Sequence, residues 1–242
     1  MEGSASGVRS PANGGRKLVL IHTVPPLVDV FTQLCRDLLP EVPLLHVLDE
    51  PLLERIKQRG SLAAEDDERL AAHVELAQEA GAGVVLVTCS TVSLCVDAVR
   101  DRFSIPVLKI DEAMARQAVR SGRRIAVVAT AATTLEPSRA LLQEEARRAG
   151  ADVEIVLRLV DDALAALLAG DGATHDRLVE LAVREEAARS DVVVLAQATM
   201  SRVLKVMGDR PAPAPVLSSP LLAVAEVRRI LSGPGPSDEV RW

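Results

Sequence analysis

Gly83-Val84-Val85-Leu86-Val87-Thr88-Cys89-Ser90-Thr91-Val92-Ser93 is the stretch on which the fold turns. A run of apolar, mostly β-branched residues stops at small polar ones with a cysteine among them. A helical pattern follows from about Thr91 to Arg102. That order predicts a buried parallel strand, a tight turn and a helix start. Cys89 then stands at the carboxyl end of a strand, the edge where ligands gather in open α/β sheets. The dipole and free N–H groups of a helix start favour an anion there, and the same setting favours a thiolate. The competing reading is a structural cysteine, because free Cys is among the most buried residue types.

Outward from this stretch, strands and helices alternate. Upstream, Lys17 to His22 reads as a strand, Leu27 to Leu39 as a helix behind Pro25-Pro26, and Pro43 to Leu48 as a strand. Glu50 to Gly60 reads as a short helix or loop, and Ala63 to Ala80 as a longer helix with a charged face. Downstream, Pro106 to Ile110 is a strand and Asp111 opens a helix to about Ser121. At Arg123 the pattern starts again: strand Arg124–Thr130, turn Ala131–Thr134, helix Leu135–Ala149 stopped by Gly150, and strand Asp152–Leu157. Helices Asp162–Leu168 and Ala173–Ser190, strand Asp191–Leu195, a helix to Met207, strand Pro215–Leu217 and helix Pro220–Leu231 complete it.

The second series repeats the first. KLVLIHT at Lys17–Thr23 matches RIAVVAT at Arg124–Thr130, VVLVTCST at Val84–Thr91 matches VVVLAQAT at Val192–Thr199, and Val107-Leu108 matches Val216-Leu217. The fold class predicted is α/β: two similar parallel-sheet, flavodoxin-like lobes related by a pseudo-twofold, with the site in the cleft between them. The divisions expected are an N-terminal disordered extension (1–16), a first lobe (17–111), a second lobe (112–217), a C-terminal helix packing back on the first lobe (218–231) and a polar tail (232–242). The repeat pairs Cys89 with Gln197, Thr23 with Thr130 and Thr91 with Thr199. Small hydroxyls and helix-start amides on both walls suit a carboxylate.

Composition narrows the function. The 242 residues carry a net charge of −6, which argues against a polyanion partner. Phe31, Phe103 and Trp242 are the chain's aromatic residues and Tyr is absent, too few for a base-stacking platform. No apolar run reaches the length of a membrane span. Three cysteines without a CxxC pair make neither a disulfide framework nor a zinc site, and a reducing cytoplasm is the default. No metal is expected.

The segments Thr88-Cys89-Ser90-Thr91-Val92-Ser93, Leu195-Ala196-Gln197-Ala198-Thr199-Met200 and Ala129-Thr130-Ala131-Ala132-Thr133-Thr134 carry a resemblance to the aspartate/glutamate/hydantoin racemase superfamily, over roughly Lys17 to Leu231. The resemblance implies a cofactor-independent enzyme and a homodimer or higher homo-oligomer. In that family one cysteine takes a proton from the substrate α-carbon and a second returns it from the opposite face. Substrates include amino acids and hydantoins, and relatives act on maleate or arylmalonates. Cys89 falls on the first cysteine, with Ser90 and Thr91 on the substrate-binding residues after it. The second cysteine falls on Gln197, and a carboxamide exchanges no proton with carbon at neutral pH. Three readings follow. One is a racemase-like isomerase with Cys89 as acid/base. Another is a one-thiol decarboxylase of a malonate-type acid. The third is a carboxylate-binding protein without catalysis. In the first two, Gln197 donates a hydrogen bond, and Thr23, Ser90, Thr91, Thr130, Thr133, Ala198 and Thr199 orient the small carboxylate or carbonyl substrate.

Other polar residues are weighed against packing roles. His22 closes the first strand and either touches the cleft or is structural; His46 reads as core or edge; His73 as solvent-facing. His175 and Asp176 are expected to point apart on a helix. Asp111 follows a strand on the ligand edge and can approach the cleft rim. Cys35 and Cys95 read as core.

Overall fold

The computed structural model describes residues 17–208 and 210–232; the readings for 1–16 and for the tail beyond Ser232 lie outside them. The first sheet is built on β1 (Lys17–His22), whose residues are buried after the first. Its order is β2 (Leu44–Leu48), β1, β3 (Ala82–Val87), β4 (Val107–Lys109), all parallel. Alternate side chains of β1 serve opposite faces. Val19 and Ile21 pack under α2 (Glu50–Arg59), α3 (Ala64–Glu79) and the short α4 (Val96–Val99). Leu18 and Leu20 pack with Phe31 and Cys35 of α1 (Pro26–Leu38). Burial on both faces explains why β1 and β3 are continuous apolar runs.

The second sheet repeats the order: β6 (Glu154–Leu159), β5 (Arg124–Ala129), β7 (Val192–Leu195), β8 (Val216–Ser218), again parallel. One face is covered by α7 (Asp161–Leu168), α8 (Gly172–Ala187) and α9 (Arg202–Met207), the other by α5 (Glu112–Ser121) and α6 (Leu135–Ala149). The helices start and stop on local signals. Asp49 accepts the Leu52 N–H at the head of α2, Asp171 accepts the Thr174 N–H at the head of α8, and Gly150, at φ 62°, ends α6.

Two helices are exchanged between lobes. α5 follows β4 in sequence yet packs on the second sheet, through Met114, Ala115, Ala118 and Val119. α10 (Ser219–Ser232) follows β8 yet packs on the first, through Ala223, Val224 and Val227. Ala198, from the turn after β7, joins that same first-lobe cluster, so the carboxyl edge of the second sheet meets the first lobe.

The expected helix from Thr91 to Arg102 is a correction. It is a 3-10 turn (Val92–Cys95), the single turn α4, and another 3-10 turn (Arg100–Arg102). Valines are weak helix formers. The buried residues come in pairs three apart, Val92 with Cys95 and Val96 with Val99, which 3-10 winding stacks on one side. The turn after β7 is likewise 3-10 (Ala198–Ser201) before α9. No long helix therefore starts at Cys89, and the dipole argument for its thiolate loses its basis.

Gly122 ends α5 in the link to the second lobe. A Cβ there would stand 2.1 Å from Cβ of Asp191, whose carboxylate accepts the N–H groups of Arg123 at 2.7 Å and Arg124 at 2.8 Å. Gly122→Ala is expected to cost about 1–3 kcal/mol by overpacking. Urea unfolding checks this; an unchanged midpoint contradicts it. Among the described residues no helix is long and apolar enough to cross a membrane.

Candidate active site

The site grows from two neighbouring strand ends. β3 and β4 pair in register at Val87 and Lys109, and Ile110 N–H continues the ladder to Val87 O at 3.0 Å. Two residues beyond each partner, past the ends of β3 and β4, come Cys89 and Asp111, the latter at the head of α5. Cys89 is buried, 8% exposed, and its carbonyl accepts the Ser93 N–H at 2.7 Å, which closes the turn. Ser90 and Thr91 are half-buried. Cys35 and Cys95 are in the core as expected, their thiols pushed by burial to about 11 and about 12, with Asp67 adding to the rise at Cys95.

The corresponding end of the second sheet is held differently. Gln197 Oε1 accepts from Thr130 N at 2.7 Å and Thr130 Oγ1 at 3.1 Å. A backbone N–H only donates, so the carboxamide atom facing it is the oxygen. The Nε2 donors of Gln197 are left over, with no hydrogen bond among the described residues. The repeat-equivalent pair in the first lobe is Thr23 and Cys89, and Thr23 Oγ1 is buried without a partner among the described residues. Ala198 is buried; Thr133 and Thr199 are exposed, at the outer edge of their turns. The structure thus brings Thr130 and Gln197 together in a bonded pair and leaves Thr133 and Thr199 open to solvent.

Asp111 is buried, and that burial raises its carboxyl to about 6; the Ser90 and Ser219 hydroxyls and Lys109 hold the rise back, while Glu112 adds to it. Neither Asp111 Oδ1 nor Ser219 Oγ has a hydrogen-bond partner among the described residues. Ser219 was not singled out from the sequence. Its signal is a serine before Pro220 at a helix start, directly after a strand.

The histidines settle one open reading, that of His22, and correct two expectations, for His73 and for His175 with Asp176. His22 is fully buried and does not open into solvent: Nδ1 lies 2.7 Å from Thr88 Oγ1, and Nε2 lies 2.9 Å from His46 Nδ1. Thr88 Oγ1 donates to Ile21 O at 3.1 Å, so His22 carries its proton on Nδ1 and His46 donates to it. Burial, then His46, lowers His22 to about 4. His73 is half-buried rather than solvent-facing, because Asp49, with Arg69 beside it, draws its Nε2 to 2.7 Å. His175 and Asp176 do not point apart: Nδ1 and Oδ1 are 2.8 Å apart, since Arg202 holds the other carboxylate oxygen and turns it toward the ring. This cluster ties α8 to α9 behind the Gln197 turn.

Among the described residues no three His, Cys, Asp or Glu side chains gather as a metal-binding group. A groove of about 510 Å³ lies between α5, α6 and α10. Of its arginines, Arg100 is engaged by Glu112, Arg116 by Glu145 and Glu226, Arg148 by Glu145 and Arg229 by Glu226, and Cys89 is not among its lining residues.

A family model for Asp/Glu/hydantoin racemases matches residues 23–227. The chain belongs to the Asp/Glu/hydantoin racemase family. Solved structures share its fold: a glutamate racemase from Bacillus anthracis (16% identity, TM-score 0.68, 91% of this chain and 83% of that one) and an aspartate racemase homologue from Pyrococcus horikoshii (15%, 0.66, 90% and 100%). An arylmalonate decarboxylase is similar too (19%, 0.58, 90% and 94%). No curated protein matches the chain. Within this racemase family fold the ends of the two sheets differ in kind: a thiol and a carboxyl follow β3 and β4, and a hydroxyl and a carboxamide follow β5 and β7.

Proposed function

We propose that the chain is a cofactor-independent enzyme that moves a proton at the carbon α to a carboxylate or carbonyl of a small acid, with Cys89 as its acid/base. The observation that carries this reading is that three of the four buried side-chain oxygens without partners among the described residues, Thr23 Oγ1, Asp111 Oδ1 and Ser219 Oγ, come just after the carboxyl ends of β1, β4 and β8. A buried polar atom left unpaired costs about 1–3 kcal/mol, and unpaired oxygens at the ligand edge of the sheets suit a polar ligand. In the reaction, the Cys89 thiolate takes the α-proton, or the thiol supplies it to a carbanion. Gln197 Nε2 donates to the enolate or carboxylate oxygen. Thr23, Ser90, Thr91, Thr130, Thr133, Thr199 and the backbone of Ala198 orient the substrate. The reading includes a homodimer in a reducing cytoplasm, in keeping with the family and with three unpaired cysteines.

With a thiol on one wall and a carboxamide on the other, the proton enters and leaves on a single face. Exchange without inversion is therefore expected. The second reading, a one-thiol decarboxylase of a malonate-type acid, is favoured by that same asymmetry: loss of CO₂ makes the carbanion, and one thiol suffices to protonate it. Incubation in deuterated water with amino acids, hydantoins, malonates and small dicarboxylates separates the two. Deuterium incorporation with retained configuration supports the first, and CO₂ release with a single enantiomer supports the second. A silent panel whose members still raise the melting temperature makes the chain a carboxylate-binding protein and overturns both.

A further inference from the structure

A carboxamide carries one acceptor atom and one donor atom, and which of them a ligand meets depends on what holds the other. Just past the paired residues Val128 and Leu195, Thr130 ends β5 and Gln197 ends β7. Gln197 Oε1 accepts from Thr130 N at 2.7 Å and from Thr130 Oγ1 at 3.1 Å. We infer that Thr130 is a positioning residue that locks the Gln197 carboxamide in one orientation, so that this side chain offers a ligand donors alone. It then selects an acid that carries an acceptor group, a second carboxylate or a carbonyl, where an amino acid carries its ammonium. This inference rests on the proposed reading that Gln197 meets the substrate.

The lock has two parts. Thr130 is buried, and its backbone N–H can only donate. Turning the carboxamide over would set Nε2 against that N–H, donor to donor, and leave it without an acceptor. That holds the reversed form roughly tenfold to a hundredfold below the observed one. The Thr130 hydroxyl adds a second donor to the same oxygen, so both lone pairs of Oε1 are in use. Gln197 itself is half-buried, and its Nε2 is neither bonded among the described residues nor closed off from solvent. The first lobe lacks this device. There the equivalent hydroxyl, Thr23 Oγ1, has no partner among the described residues. The pairing comes with the glutamine, whose side chain is long enough to reach back from the β7 turn to the end of β5.

The consequence is a choice between ligands. An ammonium has donors only, and beside Nε2 it meets more donors. A carboxylate or carbonyl oxygen accepts from one or both of the free N–H groups. Discrimination of this kind is strong where a site is built to bond a particular group, because the wrong group leaves that site unpaired. The oxygen chosen in this way is also the one that gathers charge when the α-proton leaves, so selection and stabilisation use the same two N–H groups.

Two measurements on the full chain test this. The first needs no ligand: nitrogen-15 relaxation of the Gln197 side-chain amide, recognised by its loss in Gln197→Met. Its order parameter is expected above about 0.6 in the wild type, lower in Thr130→Val, and regained in Thr130→Ser, which restores the hydroxyl. The second is calorimetric titration with malonate and with glycine, which differ by a carboxylate in place of an ammonium on the same carbon. The wild type is expected to bind malonate at least about tenfold more tightly than glycine. Gln197→Met removes both donors without adding charge, and is expected to lose about tenfold for malonate and nothing for glycine. Thr130→Val is expected to lose about threefold to tenfold for malonate, and Thr130→Ser to stay near the wild type; if the valine variant does not fold, the wild type and Gln197→Met decide. A mobile Gln197 amide in the wild type, no malonate binding, no preference over glycine, or a preference that survives in Gln197→Met overturns the inference. Deuterium exchange judges the reaction separately. Exchange that depends on Cys89 without the malonate preference keeps the reaction and removes this inference. The preference without exchange keeps the inference and removes the reaction.

Discussion

Cys89→Ala is expected to lower α-proton exchange or CO₂ release by at least about 10³-fold, towards the upper range for removal of a positioned acid/base. The fold is expected to survive. The substitution removes one sulfur from a cluster that also holds Val19, Ile21, Leu52, Leu70, Val74 and Val87, and none of these depends on the thiol for a hydrogen bond. Cys89→Ser is the sharper probe. It keeps the shape, but its hydroxyl is a far weaker acid than a thiol, so turnover is expected to fall nearly as far while ligand-induced stabilisation persists. Circular dichroism and melting temperature establish the fold, and the deuterium assay reads the chemistry. Full activity in the alanine variant removes Cys89 from the mechanism.

The second large effect is on stability, and it consists of two opposed terms. The fold keeps His22 neutral, with its value about 4 against an ordinary 6.5. An unfolded chain binds that proton below pH 6.5 and the folded chain does not. Stability from this group is therefore complete above 6.5 and is lost as pH falls towards 4, by about 3 kcal/mol in all. Asp111 has the opposite sign. Its folded value of about 6 lies above the ordinary 3.8, so its term is fully favourable below 3.8 and is lost as pH rises through 6, by a similar amount. Together they leave stability nearly flat between pH 4 and 6. Urea unfolding of the separate variants exposes each term. His22→Asn is expected to lose stability as pH rises from 4 to 6. Asp111→Asn is expected to lose it as pH falls, and to be more stable than the wild type at pH 8 by about 1–3 kcal/mol. Such a gain on replacing a site residue is the usual mark of a group kept for function. Parallel pH curves in wild type and variants contradict the assignment.

The α/β class and the doubled sheet order were legible in the sequence because strands buried on both faces read as uninterrupted apolar runs, such as Leu18–Ile21 and Val84–Val87. Their repetition from Arg124 implies the second sheet. The racemase family was legible in the turns that end these strands. What followed Cys89 was not, because helical spacing and stacked 3-10 turns bury the same valines. The histidine contacts were missed for a different reason. His22 meets Thr88 and His46, and Asp49 meets His73, across strand and helix packings that no local spacing encodes. Adjacent residues on a helix diverge by default, yet Arg202 draws Asp176 back towards His175 from another helix. Asp111 could be placed at a strand end, but not the Ser219 hydroxyl beside it, which comes from far along the chain at the head of the exchanged α10.

That exchange has a mechanical consequence. The polypeptide passes from one lobe to the other at Asp111 and back again at Ser219, and these two crossings lie side by side. Two pins set close together define an axle. Any movement of one lobe against the other would be guided by that line, since sliding or twisting would strain both links at once. Residues on the axle travel least during such a movement, and those at the free edge, where the Thr133 and Thr199 turns are exposed, travel most. Asp111 and Ser219, at the two links, would then keep their places relative to each other whatever the outer turns do.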